Sequence, residues 1–152
     1  MGGKGLTGGC QCGAIRYRLE ATPQGASICH CRMCQKAGAS PYMAFAPLET
    51  AAFVMTKGQL GIFRSSDIAE RGFCAQCGTP LTYRNVKTSR ISVTICSLDD
   101  PDAVVPELQL GADSAVTWLH DCLTKPNMRV EEFLKTRGVT ELDNRQHPDR
   151  EL

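Results

Sequence analysis

Nine cysteines in 152 residues constrain this chain more than any other feature. Seven fall into three short groups: Cys10-Gln11-Cys12-Gly13, Cys29-His30-Cys31-Arg32-Met33-Cys34 and Cys74-Ala75-Gln76-Cys77-Gly78. Thiols this close in sequence can bite a single ion. A C-x-C pair on extended chain sets both thiols on one face, because side chains alternate. A C-x2-C pair does the same through a tight turn, and Gly13 and Gly78 supply the positive φ that such turns need. Zinc is the expected guest, since it prefers thiolates, takes four tetrahedral ligands and has no redox chemistry of its own. The odd cysteine count argues against a disulfide framework. The opening residues, MGGKGLTGG, hold no charged-then-apolar signal, and Leu6 stands where myristoylation wants Ser or Thr. A cytoplasmic protein is therefore expected, in which clustered thiols bind metal.

Seven thiols make one set of four and one of three. Cys10/Cys12 and Cys74/Cys77 are alike, each pair trailed by glycine, and together they would close a structural site. Cys29, Cys31 and Cys34 are then three ligands from one short loop with a fourth position open. Closed sites are usually structural and open ones catalytic or ligand-binding. The alternative has all seven thiols in structural sites, with His120, Cys96 or Cys122 as the missing ligand.

The rest of the chain reads as mainly antiparallel β. Strand patterns recur at 14–20, 41–48, 51–58, 60–66, 80–85 and 90–96, punctuated by glycine, proline and Ser/Asp clusters. Residues 97–113, rich in Asp and Pro, read as loop. Helical patterns come late, at 114–123 and 129–138, with Gly138 as a stop signal. The polar tail NRQHPDREL is expected to fray. Hydrophobic residues make up 42% of the chain, enough for one core. Lys and Arg number 17 against 16 for Asp and Glu, and only 6% of residues are aromatic, which argues against a nucleic-acid or acidic-membrane partner. No apolar run is long enough for a transmembrane helix.

Several motifs now combine. Gly8 to Tyr17 follows G-x-C-x-C-G-x3-Y, and Cys29 to Gly38 follows C-H-C-x2-C-x-K-x-G. Ser65 to Leu81 follows S-S-x4-R-x-F-C-x2-C-G-T-x-L, and Leu98-Asp99-Asp100-Pro101 and Trp118 come after. In this order they resemble the glutathione-dependent formaldehyde-activating enzyme family, also called the centromere protein V/GFA domain, over residues 5–125. Residues 126–152 are left as a C-terminal extension. The resemblance implies a compact, zinc-stapled antiparallel β fold like that of methionine sulfoxide reductase B, with one or two short C-terminal helices. It implies two zinc ions per chain: a structural one on Cys10, Cys12, Cys74 and Cys77, and a catalytic one on Cys29, Cys31 and Cys34. It implies carbon–sulfur lyase chemistry that joins glutathione and formaldehyde as S-hydroxymethylglutathione.

An open zinc site can hold a substrate thiol as thiolate or polarise a carbonyl. Arg32, Lys36 and Arg71 flank the clusters and would suit an anionic thiol. His30, set between two ligands, should point away from their ion, toward solvent or into a supporting layer. Ser65 and Ser66 fit the family pattern and equally fit a turn. Cys96 and Cys122 read as buried thiols, and Trp118 as core. Three other functions compete with the lyase: a non-catalytic glutathione or aldehyde carrier, a zinc scaffold for a macromolecule, and methionine sulfoxide reduction. The last needs an exposed redox thiol outside the zinc sites, for which Cys96 and Cys122 are poorly suited by context.

Overall fold

The computed structural model describes residues 5–150. The first residues of the segment read for leader and lipidation signals, and the last two of the polar tail, lie outside that range. Ten strands form two sheets among the described residues. The smaller sheet holds β1 (Thr7–Gly9), β2 (Arg16–Leu19) and β5 (Phe53–Lys57) in the order β1-β2-β5. The larger holds β3 (Ser27–Cys29), β4 (Met43–Glu49), β6 (Gly61–Arg64), β7 (Ala69–Phe73), β8 (Pro80–Asn85), β9 (Arg90–Thr94) and β10 (Leu108–Leu110). Its order is β10-β3-β4-β9-β8-β7-β6. Every pairing between these strands is antiparallel except β10 with β3. The mainly antiparallel β class read from the strand patterns holds.

Apolar side chains from both sheets meet in one core that includes Tyr17, Leu19, Leu48, Leu81, Val93 and Leu98. Tyr17 is fully buried, which pushes its phenol up, and its hydroxyl is satisfied by Ser97 Oγ at 2.7 Å. Cys10 and Cys74 belong to the same core.

Several readings change. Residues 97–113 are not all loop, because β10 pairs in parallel with β3. β10 is only three residues long with every side chain exposed, so it carries no hydrophobic alternation to read. β7 was also missed: Ala-Glu-Arg-Gly-Phe looks polar, yet Arg71 and Gly72 are buried in it. Helix α1 (Arg32–Gly38) replaces the loop expected after Cys31. Late in the chain, the helical pattern at 114–123 forms 3-10 turns over Thr117–Thr124, and α2 spans Val130–Thr136. Neither segment buries a residue. Trp118 is 55% exposed and so is not core. Gly138 takes φ +77° just past α2, as a helix stop requires.

Leu98-Asp99 ties the start of the chain to its later half. Arg16 donates to Asp99 through Nη1 at 2.8 Å and Nη2 at 2.5 Å. Thr7 Oγ1 donates to the same carboxylate at 2.5 Å, and Asp99 N–H donates to Thr7 O at 2.9 Å. Both charged side chains are about nine-tenths buried. Burial pushes the Asp99 carboxyl up, but the hydrogen bonds from Arg16 and Thr7 outweigh it and hold it below the usual carboxylate range. A carboxyl depressed in the folded state stabilises above its unfolded value, about pH 4, and that contribution is lost as pH falls through the folded value. Asp99→Asn should therefore be less stable than wild type at pH 7, with a narrower gap at pH 3. Urea midpoints at the two pH values measure this.

Candidate metal centres

The first centre is built from two knuckles 62 residues apart. In one, Gly13 N–H donates to Cys10 O at 3.0 Å and Cys10 N–H to Ile15 O at 3.1 Å. In the other, Gly78 N–H donates to Cys74 O at 2.8 Å and Cys74 N–H to Thr79 O at 2.9 Å. Gly13 and Gly78 sit at φ +73° and +79°, the conformation their positions after Cys12 and Cys77 anticipate. Cys10-Gln11-Cys12 is a turn, not the extended pair its spacing suggests. The sulfurs of Cys10, Cys12, Cys74 and Cys77 lie within 4.8 Å of one another and can hold a metal ion. Cys10 and Cys12 sulfurs are 3.6 Å apart, and Cys12 and Cys74 sulfurs 3.9 Å. A tetrahedral ion at about 2.3 Å from each sulfur needs sulfur–sulfur edges of about 3.8 Å, so this donor set fits one.

The thiols are electrostatically unequal. Burial pushes the Cys77 thiol up, but hydrogen bonds from Thr79, whose hydroxyl is 3.2 Å from Cys77 Sγ, pull it down to about 6. For Cys12, a backbone hydrogen bond at Ala14 favours the thiolate, yet desolvation and the neighbouring sulfurs together push the thiol up to about 11. Burial pushes Cys74 up as well. Four thiols this close cannot all ionise unless a cation offsets their charge.

Among the described residues, the polar tail expected to fray docks on the first knuckle through His147. His147 N–H donates to Gln11 O at 2.7 Å, and its ring lies so close to Gly13 that a Cβ there would collide with it. Lys57 Nζ donates to Gly13 O at 2.8 Å from another direction.

The second centre forms where β3 ends and α1 begins. Cys29 closes β3, Cys31 is the N-cap of α1, and Cys34 is buried in its first turn. Their sulfurs also lie within 4.8 Å of one another and can hold a metal ion. Among the described residues no other His, Cys, Asp or Glu joins either group, so His120, Cys96 and Cys122 do not complete them. Burial pushes the Cys29 thiol up to about 12. Burial also raises the Cys31 thiol, but backbone and sulfur hydrogen bonds outweigh it and leave that thiol below its ordinary value. Arg71, on β7, donates from Nη2 to Cys34 Sγ at 3.4 Å and lies 5.2 Å from the centroid of the Tyr83 ring.

His30 is not solvent-facing. It is 1% exposed, its ring meets Tyr42 edge-on at 5.5 Å, and its Nε2 is 3.1 Å from Gln109 Oε1. Its N–H donates to Leu110 O at 2.9 Å, while Gln35 Nε2 donates to both His30 O and Ser114 O, at 2.7 and 2.9 Å. The chain at 109–114 thus clamps the cysteine-bearing turn. Gln35 and Gln109 went unnoticed in the sequence, because a single glutamine carries no pattern and Gln109 sits in a stretch read as loop.

A cavity of about 490 Å³ opens over the second centre, lined by its three cysteines, Phe45, Tyr83 and Ser66 among others. Arg32, Lys36 and Ser65 instead line a neighbouring cavity of about 480 Å³, which shares Met33 and Arg71 with the first. Cys96 is exposed and Cys122 half-buried, not the buried thiols expected, and both face a third cavity with Trp118.

Cys77→Ala removes one of four converging sulfurs from the core-facing centre. Metal binding at such sites is worth on the order of 10 kcal/mol, comparable to the stability of a whole domain. The variant should be unfolded or insoluble, which metal content and a thermal melt test together.

Comparison with known proteins accords with this geometry. A Schizosaccharomyces pombe protein named as an uncharacterized lyase is 37% identical over 76 residues, 50% of this chain and 55% of that protein. The match therefore spans about half the length of that curated relative. A crystal structure of a Rhodobacter sphaeroides protein superposes with a TM-score of 0.55 at 21% identity, covering 68% of this chain and 98% of that one, a likeness of fold alone. No helix among the described residues is long and apolar enough to cross a membrane. The model of the glutathione-dependent formaldehyde-activating enzyme family matches residues 5–113, a span that holds both sulfur clusters, and the chain belongs to that family.

Proposed function

We propose that this chain is a zinc-dependent enzyme of the carbon–sulfur lyase type, forming or cleaving a thiol–aldehyde adduct as in S-hydroxymethylglutathione synthesis. Cys10, Cys12, Cys74 and Cys77 would hold a structural zinc, and Cys29, Cys31 and Cys34 a second. The observation that carries the reading is the second centre: three converging sulfurs, no fourth ligand among the described residues, and a cavity above them. Glutathione and formaldehyde are the pair that the family's description supplies. A cytoplasmic setting goes with the reading, since a reducing compartment keeps ligand thiols free.

In the adduct-forming direction the thiol sulfur bonds to the carbonyl carbon, the carbonyl π bond breaks, and the thiol's proton ends on the oxygen. Zinc on three thiolates would supply an open position where a substrate thiol is deprotonated. The chain's own groups set the conditions around it. Arg71 offsets the negative charge gathered on the sulfurs through its contact with Cys34. Phe45 and Tyr83, with ring centroids 5.9 Å apart, wall the cavity with apolar surface and limit water. Gln35 and Gln109 hold the backbone and ring of His30, which fixes the spacing of Cys29 and Cys31 on either side.

Two outcomes are expected. Mild chelation should remove one metal first, from the three-cysteine centre, with circular dichroism unchanged; loss of both at once with unfolding would show that both centres are structural. Cys31→Ser should keep a native melting curve, since the four-cysteine centre does not use it. The same variant should lose thiol-dependent aldehyde consumption beyond the spontaneous rate, by at least tenfold. A carrier would instead bind thiol in a Cys31-dependent way with no rate enhancement, which calorimetric titration beside the rate assay distinguishes.

A further inference from the structure

We propose that His147, in the C-terminal tail, is a retention clamp for the four-cysteine centre: it fixes the backbone on both sides of Cys12, the exposed member of the set, and so holds that sulfur on the metal. The inference rests on reading Cys10, Cys12, Cys74 and Cys77 as a metal centre, and it names a residue that positions one of them. The family match ends at residue 113, so the tail lies outside it.

Three observations carry it. The first is unequal exposure. Cys10 and Cys74 are buried and Cys77 is half-buried, but Cys12 is exposed. A competing thiol or chelator reaches the centre most directly there. In exchange with a thiol, the bond from Cys12 Sγ to the metal breaks and one from the incoming sulfur forms, while the incoming thiol's proton passes to Cys12. That exchange needs Cys12 to swing away from its three neighbours.

The second is where His147 sits. Its N–H donates to Gln11 O at 2.7 Å, just before Cys12. Its ring packs on Gly13, just after Cys12, where the lack of a Cβ admits it. Lys57 Nζ holds the Gly13 carbonyl at 2.8 Å from another side. His147 Nδ1 is buried with no hydrogen-bond partner among the described residues, so the ring acts by its shape and not through that nitrogen.

The third is continuity between the two knuckles. Gln11 N–H donates to Thr79 Oγ1 at 3.1 Å, and the same hydroxyl lies 3.2 Å from Cys77 Sγ. Gln11 is thus held by the tail at its carbonyl and by the second knuckle at its amide. A swing of Cys12 has to strain these bonds and push the His147 ring aside. Groups that orient metal ligands in this way commonly change metal affinity by roughly 10–100-fold.

The test uses the full chain loaded with zinc. Zinc release to an excess of the chromogenic chelator pyridylazoresorcinol is timed. Peptide mass mapping of the thiols that iodoacetamide reaches over the same period assigns each phase of release to its cysteines. His147→Ala removes the ring, and His147→Pro removes the N–H donor as well. Each should speed release from the four-cysteine centre by about tenfold. His147→Phe keeps the N–H and a ring, and should release zinc at the wild-type rate. The melting curve in excess zinc should be unchanged in all three, and Cys12 should be alkylated before Cys10, Cys74 and Cys77. Wild-type release from His147→Ala and His147→Pro, fast release from His147→Phe, faster release joined to a lowered melting curve, or first alkylation at another of the four thiols would each overturn the inference and leave the metal centre standing. A wild-type chain that binds no zinc, or whose four thiols are alkylated freely when zinc is bound, overturns the metal reading and the inference with it.

Discussion

Cys12 and Cys74 bring their sulfurs to 3.9 Å across 62 residues of chain, and much of the architecture follows from that approach. One knuckle precedes β2 of the small sheet, and the other lies between β7 and β8 of the large one. Their contact joins the two sheets at one edge of the shared core, to which Cys10 and Cys74 belong. Backbone hydrogen bonds shape each knuckle, but the thiols themselves repel if ionised and leave polar groups in apolar surroundings if not. A bound cation would resolve that conflict, and metal and fold energetics would then merge at the junction. The Asp99 ion pair acts beside it, tying β1 and β2 to the chain after β9 through Thr7 and Arg16.

The second cluster depends on the first only indirectly. Its sulfurs come from six consecutive residues, 29–34, but its surroundings do not. Arg71 reaches Cys34 from β7, just before the Cys74 knuckle, so the large sheet must be in register for the cation to arrive. Phe45 comes from β4 and Tyr83 from β8. The cavity is thus a product of sheet order, whereas its sulfur floor is a product of local sequence.

That division also explains what could be read from the sequence. The grouping of seven cysteines, the glycine-backed turns and most antiparallel strands were legible, because each rests on local spacing or alternation. Arg71 was noticed as a nearby charge, but its burial in β7 was hidden by the polar look of Ala-Glu-Arg-Gly-Phe. Gln35, Gln109, Phe45 and Tyr83 carry no short-range signal, since their roles exist only once distant segments meet. His30 was assigned the right direction by strand alternation and, in one alternative, the wrong environment: nothing local indicates that residues 109–114 will cover it. Cys96 and Cys122 were misplaced because apolar neighbours in sequence do not ensure burial.

The parallel pairing of β10 with β3 has a consequence for how this protein can fail. Without β10, β3 would be the open border of the six remaining strands, with unpaired N–H and C=O groups ready to recruit another chain. β10 is too short and exposed to be a hazard of the same kind, so it acts as a selvedge that stops the weave. The same strand bonds His30 through Leu110 O and Gln109. Resistance to aggregation and assembly of the sulfur cluster therefore share one set of hydrogen bonds, and a chain that loses its grip on residues 108–110 becomes sticky and loses the frame of that cluster together.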